Sequence, residues 1–267
     1  MNDAPTITST AVTEATEDVA YTYEITTEDI DGDLVTVSAT GLPSWLTLTD
    51  NTLSGTPTEG ETGSEITITA TDDGDGALTA TQIFTIVVTP VNDAPTITST
   101  VVTTATEDIA YTYTITTEDV DGDVVTVSAS GLPSWLTLSG NTLSGTPTEG
   151  ETGSEITITA TDDGDGALTA TQTFTIVVTP VNDSPTITSI AVTTATEDIV
   201  YTYTITTEDV DGDLVTVSAI GLPSWLTLTD NTLSGTPTEG DTGSEITITA
   251  TDDGDGALTA TQIFTIV

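Results

Sequence analysis

EITITATDD, Glu155–Asp163, sets Ile156, Ile158 and Ala160 at every second position with threonine between them, then turns sharply acidic. Successive side chains on extended backbone point to opposite faces, so this alternation predicts a strand with one buried side. Upstream, YTYTITTED (Tyr111–Asp119) does the same with Tyr111, Tyr113 and Ile115, and it too ends in acids. Working outward, the pattern predicts strands A near Thr96–Ser99, B near Ala110–Thr117, C near Val124–Ala129 and D near Leu136–Leu138. It continues with E near Thr142–Ser144, F near Glu155–Thr161 and G near Leu168–Thr179. Gly, Pro, Asn and Asp punctuate the gaps, and no helical period competes.

Seven short strands in about ninety residues predict an all-β, immunoglobulin-like sandwich. Trp135, after GLPS, is read as an anchor between the two sheets, with Tyr111 and Tyr113 facing inward beside it. The unit recurs: NDAPTITST follows Met1, VNDAPTITST begins at Val91 and VNDSPTITSI at Val181, an offset of ninety. Tandem copies therefore fill the chain, as repeats 1–90, 91–180 and 181–267, the last stopping inside strand G. The copies differ at few positions, so agreement among them says little about which residues matter.

The 267 residues include 43 Asp and Glu and no Lys, Arg, His or Cys, giving a formal charge of −43. No internal cation, disulfide or thiolate site can stabilise such a chain, so counter-charge comes from solution. Hydrophobic residues make up 36% and alternate regularly, which separates it from disordered acidic tails. Nucleic acid and membrane insertion are excluded as expected partners, because no basic residue and no long apolar run is present. Met1 leads straight into NDAPTITST without a signal-peptide pattern, and the chain reads as part of something longer.

Consecutive strands of a sandwich run antiparallel, which sorts the loops by pole. One pole of the second repeat gathers Asn92 and Asp93 from the linker, Asp119, Asp121 and Asp123 from B–C, and Asp162, Asp163 and Asp165 from F–G. The opposite pole gathers Glu107 and Asp108, with Glu149 and Glu151. Stacked end to end, Glu17, Asp18, Glu59 and Glu61 of the first repeat would face the acids of the second. Two carboxylates about 5 Å apart repel by roughly 3 kcal/mol at an effective dielectric near 20. Several such pairs exceed what a small domain has to spare, so the loops splay, protonate or hold a cation. Oxygen ligands from several loops, without nitrogen or sulfur, suit Ca2+ better than Zn2+ or Mg2+. An EF-hand is excluded, since the twelfth position from Asp119 is Ser130 and from Asp162 is Thr173.

At these residues the chain resembles cadherin-like repeats, specifically the dystroglycan-type and putative-immunoglobulin variants of large repetitive bacterial surface adhesins. ITITATDDGDGALTATQTFTIVVTPVND followed by Ser184-Pro185 is similar to the last two cadherin strands plus the linker. TTEDVDGD resembles the family's DxD element, TEDIAY its early Pro-Glu element, and GLPSWLTL…LSGTPT the putative-immunoglobulin variant. The resemblance implies three tandem immunoglobulin/cadherin-like Greek-key β-sandwiches arranged end to end as a rod, with Ca2+ between repeats. It assigns the first junction to Glu17, Asn92, Asp93, Asp119, Asp121 and Asp162, and the second to Glu107, Asn182, Asp183, Asp209, Asp211 and Asp252. The first repeat carries a half-site, Asn2, Asp3, Asp29, Asp31 and Asp72, with nothing stacked above it. Glu197 lacks a following linker, and both are expected to bind calcium weakly if at all. The Asp-Arg-Glu element of animal cadherins is absent, and the linker is one residue shorter; one or two ions per junction are expected.

The leading functional expectation is a spacer of a secreted or surface-anchored bacterial adhesin, stiffened by Ca2+ at its junctions and adding roughly 35–45 Å per repeat. Its partners would be neighbouring repeats, with cell-surface glycans or proteins reached through other domains. The alternative is a carbohydrate-binding or homotypic protein-binding module, which needs an exposed aromatic platform in a chain only 4% aromatic. No catalytic role is expected: without His, Cys or Lys, only an unspecific carboxylate pair remains.

Overall fold

The computed structural model describes residues 1–267. Backbone contacts divide the chain into two compact units. One comprises residues 1–99, 116–128 and 158–172; the other comprises 100–115, 129–157 and 173–267.

The first unit contains the whole first repeat. Its strands are β1 (Thr6–Ile7), β2 (Glu14–Thr16), β3 (Tyr21–Glu24), β4 (Thr27–Glu28), β5 (Thr36–Thr40), β6 (Leu46–Thr49), β7 (Thr52–Gly55), β8 (Ser64–Thr71) and β9 (Thr79–Thr89). They form one sheet ordered β2-β9-β8-β5, a second ordered β3-β7-β6, and a short pair β1-β4. The alternation read from sequence is the burial pattern observed. Ile66, Ile68 and Ala70 of β8 are buried, as are Phe84 and Ile86 of β9, and Tyr21 and Tyr23 enter from the facing sheet. Each large apolar side chain so buried contributes about 1.5–3 kcal/mol, offsetting the ordering entropy of the chain. Tyr21 meets Trp45 edge-on with ring centroids 5.8 Å apart, and Tyr23 meets Phe84 at 5.7 Å. The inward-facing reading of the tyrosines is what the structure has. The glycine of LSGTP is imposed by this packing: a Cβ on Gly55 would overlap the Trp45 carbonyl.

Two local features depart from the sequence reading. The expected A–B turn contains β2, which pairs in parallel with β9 through Glu14↔Val87, Ala15↔Val88 and Thr16↔Thr89. Only Ala15 of its three residues faces the core, so no alternation was there to detect. Strand B is also broken. β3 pairs with β7 whereas β4 pairs with β1, because the β7 ladder ends at the Asp50–Asn51 turn. At the break, Ile25 N–H bonds the Asn51 carbonyl at 2.8 Å and Thr26 N–H bonds Ser9 Oγ at 3.1 Å, so the backbone crosses between sheets without orphaned groups.

The second unit contains the third repeat with the corresponding registers. Ser244–Thr251 pairs with Thr259–Ile266 (Ile246↔Phe264) and with Thr216–Ile220; Thr232–Gly235 pairs with Tyr201–Thr204 and Leu226–Thr229. Within the same unit, Thr104–Thr106 runs parallel to Val177–Thr179, and Tyr111–Thr114 pairs with Thr142–Gly145. Residues 194–196 form no strand, although Ala195 N–H bonds the Val267 carbonyl at 3.0 Å.

Candidate metal centre

In the first unit, the chain leaves the parallel pairing with Glu17 N–H on the Thr89 carbonyl (3.0 Å), then turns at Asp18, whose φ is 55°. This places the Glu17 side chain under the linker, only 3% exposed. Glu17 Oε2 accepts a hydrogen bond from Val91 N–H at 3.0 Å, while Oε1 is buried with no partner. The linker is held from the other side too. Asp93 N–H donates to Asp121 Oδ2 at 2.7 Å, and Asn92 Nδ2 donates to Asp162 Oδ1 at 3.3 Å and to the Asp165 carbonyl at 3.1 Å.

Asp119 organises the DVDGD loop as an Asx turn. Its Oδ1 accepts from Asp121 N–H at 3.1 Å and Asp123 N–H at 3.2 Å, leaving Oδ2 buried and unpaired. Asp162, 4% exposed, plays the same part in the F–G loop. Its Oδ1 takes Gly164 N–H and Leu168 N–H, both at 3.1 Å, and its Oδ2 is unpaired. Val124 N–H bonds Asp163 Oδ1 at 2.7 Å and so ties the two loops together. Gly164 is needed because a Cβ there would overlap both Asn92 Oδ1 and Asp123 Oδ2.

The carboxylates gather in two trios that share Asp121: Glu17–Glu59–Asp121 and Asp119–Asp121–Asp123, each with oxygens within 4.8 Å of one another. At that separation each ionised pair repels by about 3 kcal/mol for an effective dielectric near 20. Burial, with this repulsion behind it, makes three of these acids harder to ionise. Burial and then Glu17 and Asp121 hold the Glu59 carboxyl above the usual range; burial and then Asp121 and Asp18 raise Asp93; burial and then Asp119 and Asp163 raise Asp123. Glu59 itself is exposed, so water screens much of its share.

The second unit repeats the arrangement. Glu107 is 2% exposed, with Oε2 on Val181 N–H at 3.0 Å and Oε1 unpaired, and it forms a trio with Glu149 and Asp211. Asp183 N–H reaches Asp211 Oδ2 at 2.7 Å; Asp209, Asp211 and Asp213 form the other trio. Asn182 Nδ2 donates to Asp252 Oδ1 at 3.3 Å, and Oδ2 of both Asp209 and Asp252 lacks a partner. In the first repeat Asp29, Asp31 and Asp33 form the equivalent trio, Asp3 N–H bonds Asp31 Oδ2 at 2.7 Å, and Asn2 Nδ2 bonds Asp72 Oδ1 at 3.2 Å. Glu197, in the same ATED context as Glu107, is exposed.

The residues expected at each junction are thus neighbours. Neither trio of the first junction includes the Asp93 carboxylate or Asp162, which join through the linker amide and through Asn92. The sequence assignment omitted Asp123, Asp213 and Asp33, for which the third acid of DxDxD was the available signal. It also placed Glu59 and Glu149 only loosely, since their approach depends on how the repeats meet. A buried carboxylate oxygen with neither donor nor cation is costly, and every candidate ligand here is an oxygen. The donor set fits a hard divalent ion such as Ca2+.

A family model described as "Putative Ig domain" matches residues 4–89, 94–179 and 184–267. The chain belongs to that family. Among curated relatives, the serine-rich adhesin for platelets of Staphylococcus aureus strain MRSA252 is 38% identical over 173 residues, covering 60% of this chain and 12% of the adhesin. The strain MSSA476 protein is 38% identical over the same share of the chain and 7% of its own length. The chain therefore spans a small part of the curated relatives it matches. Among solved structures, Protocadherin Gamma B2 extracellular cadherin domains 1-5 superposes with a TM-score of 0.60 at 20% identity, over 100% of this chain and 60% of that one. Human CDH23 EC21-23 gives 0.59 at 17% identity, covering 99% and 100%. These Ig-family repeats share the cadherin fold; at such identity the likeness speaks for the fold alone.

Proposed function

We propose that the chain is a run of spacer modules from a secreted or surface-anchored bacterial adhesin, divided at residues 1–90, 91–180 and 181–267 and stiffened by Ca2+ at each junction. The observation that carries this reading is the Glu17 carboxylate. It is buried against the linker and sits within 4.8 Å of Asp121 from the next repeat, yet one of its oxygens is unpaired. Glu107 repeats this beside Asp211. A cation bound there would convert the repulsion between repeats into shared coordination, with Glu17, Glu59, Asp119, Asp121, Asp162 and the linker as its holders. The resemblance to a platelet adhesin supports the surface setting, and millimolar extracellular calcium would fill even weak sites. The module is non-enzymatic in this reading, as the absence of His, Cys, Lys and Arg favours.

The test is small-angle scattering of the 267-residue chain in calcium and in chelator. The maximum dimension should be larger and better defined with calcium. Superimposable curves in the two buffers overturn the proposal.

A further inference from the structure

We infer that the cleft between edge strands β2 and β3, with its counterpart in the second repeat, is a strand-addition site for an extended peptide that alternates apolar with basic residues. The inference goes beyond the spacer reading and needs no metal.

The two strands belong to different sheets, and each has one edge without a neighbour. At β2, the Thr13 carbonyl accepts Val87 N–H at 2.9 Å and Glu17 N–H donates to the Thr89 carbonyl at 3.0 Å, so alternate residues from Thr13 onward serve β9. The N–H and C=O of Glu14 therefore turn away from the sheet. At β3, the 2.8 Å bond from Ile25 N–H to the Asn51 carbonyl makes Tyr23 and Tyr21 the bonded partners of β7. The N–H and C=O of Thr22 are left for the open side.

Between these edges lies a cleft of about 360 Å3, with Ala15 and Tyr21 buried at its floor and Val12 and Val19 at its rim. The second repeat has one of about 240 Å3, with Ala105, Tyr111, Val102 and Ile109 in the same places. Both lie at or below the small end of ligand pockets, which suits the side chains of a strand better than a separate small molecule. Val19 is 55% exposed and Ile109 60%. The turn that carries Val19 is closed by backbone alone, Val19 N–H on the Thr16 carbonyl at 3.2 Å and Asp18 N–H on the Pro57 carbonyl at 3.0 Å. Its apolar side chain is thus free to meet a partner.

The edges of the second repeat are also unguarded. Thr104–Thr106 and Tyr111–Thr114 carry no charge or proline of the kind that keeps an exposed edge from pairing. A second copy is held off by net charge instead, since a chain of −43 without a basic residue repels its like. The same field attracts a basic segment, and Asp18 and Asp108 stand exposed in the turns beside the clefts. A strand added beside β3 would direct alternate side chains into the cleft and the others to water. Apolar residues suit the first set, lysine or arginine the second.

The test measures binding of two synthetic peptides to the whole chain by calorimetry, at about 0.15 M salt, where exposed charges more than about 8 Å apart are screened. One peptide alternates valine with lysine; the other carries the same residues as one lysine block and one valine block. The alternating peptide should bind more tightly and slow hydrogen exchange at the Thr22 and Thr112 amides. Tyr201–Thr204 of the third repeat offers the same edge, so the variant T22P/T112P/T202P removes all three outward N–H groups and should weaken binding about tenfold. If that variant fails to fold, V19T/I109T/I199T, which changes only exposed side chains, decides by the same loss. Equal affinity for the two peptides, or unchanged affinity in a folded variant, overturns the inference and leaves charge attraction alone. Self-association of the unmodified chain that the proline variant abolishes also overturns it, by giving the edge to a second copy.

Discussion

Glu17 concentrates the chemistry of a junction in one side chain. Its Oε2 holds the linker through Val91 N–H, so Glu17→Gln keeps an acceptor there while removing the charge opposed to Glu59 and Asp121. Melting in chelator should therefore rise slightly, by no more than the roughly 3 kcal/mol of one screened pair, and melting in calcium should fall. Opposite shifts in the two buffers are the readout; a drop in both would make Glu17 merely structural. Ala77 is a separate case. It adopts φ 45° beside Gly76, a left-handed conformation that costs an L-residue about 1–2 kcal/mol. Ala77→Gly should raise stability by about 0.5 kcal/mol once the looser unfolded chain is counted, as denaturant titration can measure.

At the scale of the strand, the first and last elements of a repeat are joined by a polar lock. Tyr23 Oη donates to Gln82 Oε1 at 2.8 Å and lies 2.7 Å from Ser9 Oγ, while Gln82 Nε2 donates to the Ser9 carbonyl at 3.0 Å. Gln82 faces inward opposite Ile68, which is why its amide must be satisfied on both sides. Tyr23→Phe keeps the edge-on contact with Phe84 but strands the Gln82 oxygen. The expected loss is about 1–3 kcal/mol, read from the denaturation midpoint at unchanged slope. The strands themselves were legible wherever burial alternates, as in Ile156, Ile158 and Ala160. Thr104–Thr106 was not, because a three-residue edge strand with one inward alanine carries no period and owes its existence to the backbone of Val177–Thr179.

For the whole molecule, charge sets the response to pH. Asp33, Glu59, Asp93, Asp123, Glu149, Asp183 and Asp213 are all held above the ordinary carboxyl values of 3.8 for Asp and 4.5 for Glu, with burial as the first cause and neighbouring acids as the next. Between the ordinary and the raised values the folded chain binds more protons than the unfolded one, so stability falls as pH rises through that window. In chelator, the melting temperature should therefore climb as pH is lowered from 7 toward about 5. In calcium the trend should reverse, because protons compete for the same oxygens. Circular-dichroism melts across this range test both slopes, and a chelator curve that falls on acidification contradicts the electrostatic account.

The sequence by itself determined the sandwich, its repetition at ninety residues, and the sorting of acids to the poles. Those features follow from period-two burial and from the antiparallel course of consecutive strands, both local or countable. Tertiary structure decided which oxygen of each acid is already satisfied and which is left over. Asp119 and Asp162 spend one oxygen on backbone N–H groups of their own loops, so only the other is free for a ligand. It also decided that Glu59 reaches Glu17 and Asp121, and that Asp72 is buried whereas Glu197 is exposed. Such distinctions depend on distances of a few ångströms between loops far apart in the chain, and those distances are fixed by packing rather than by any spacing in the sequence.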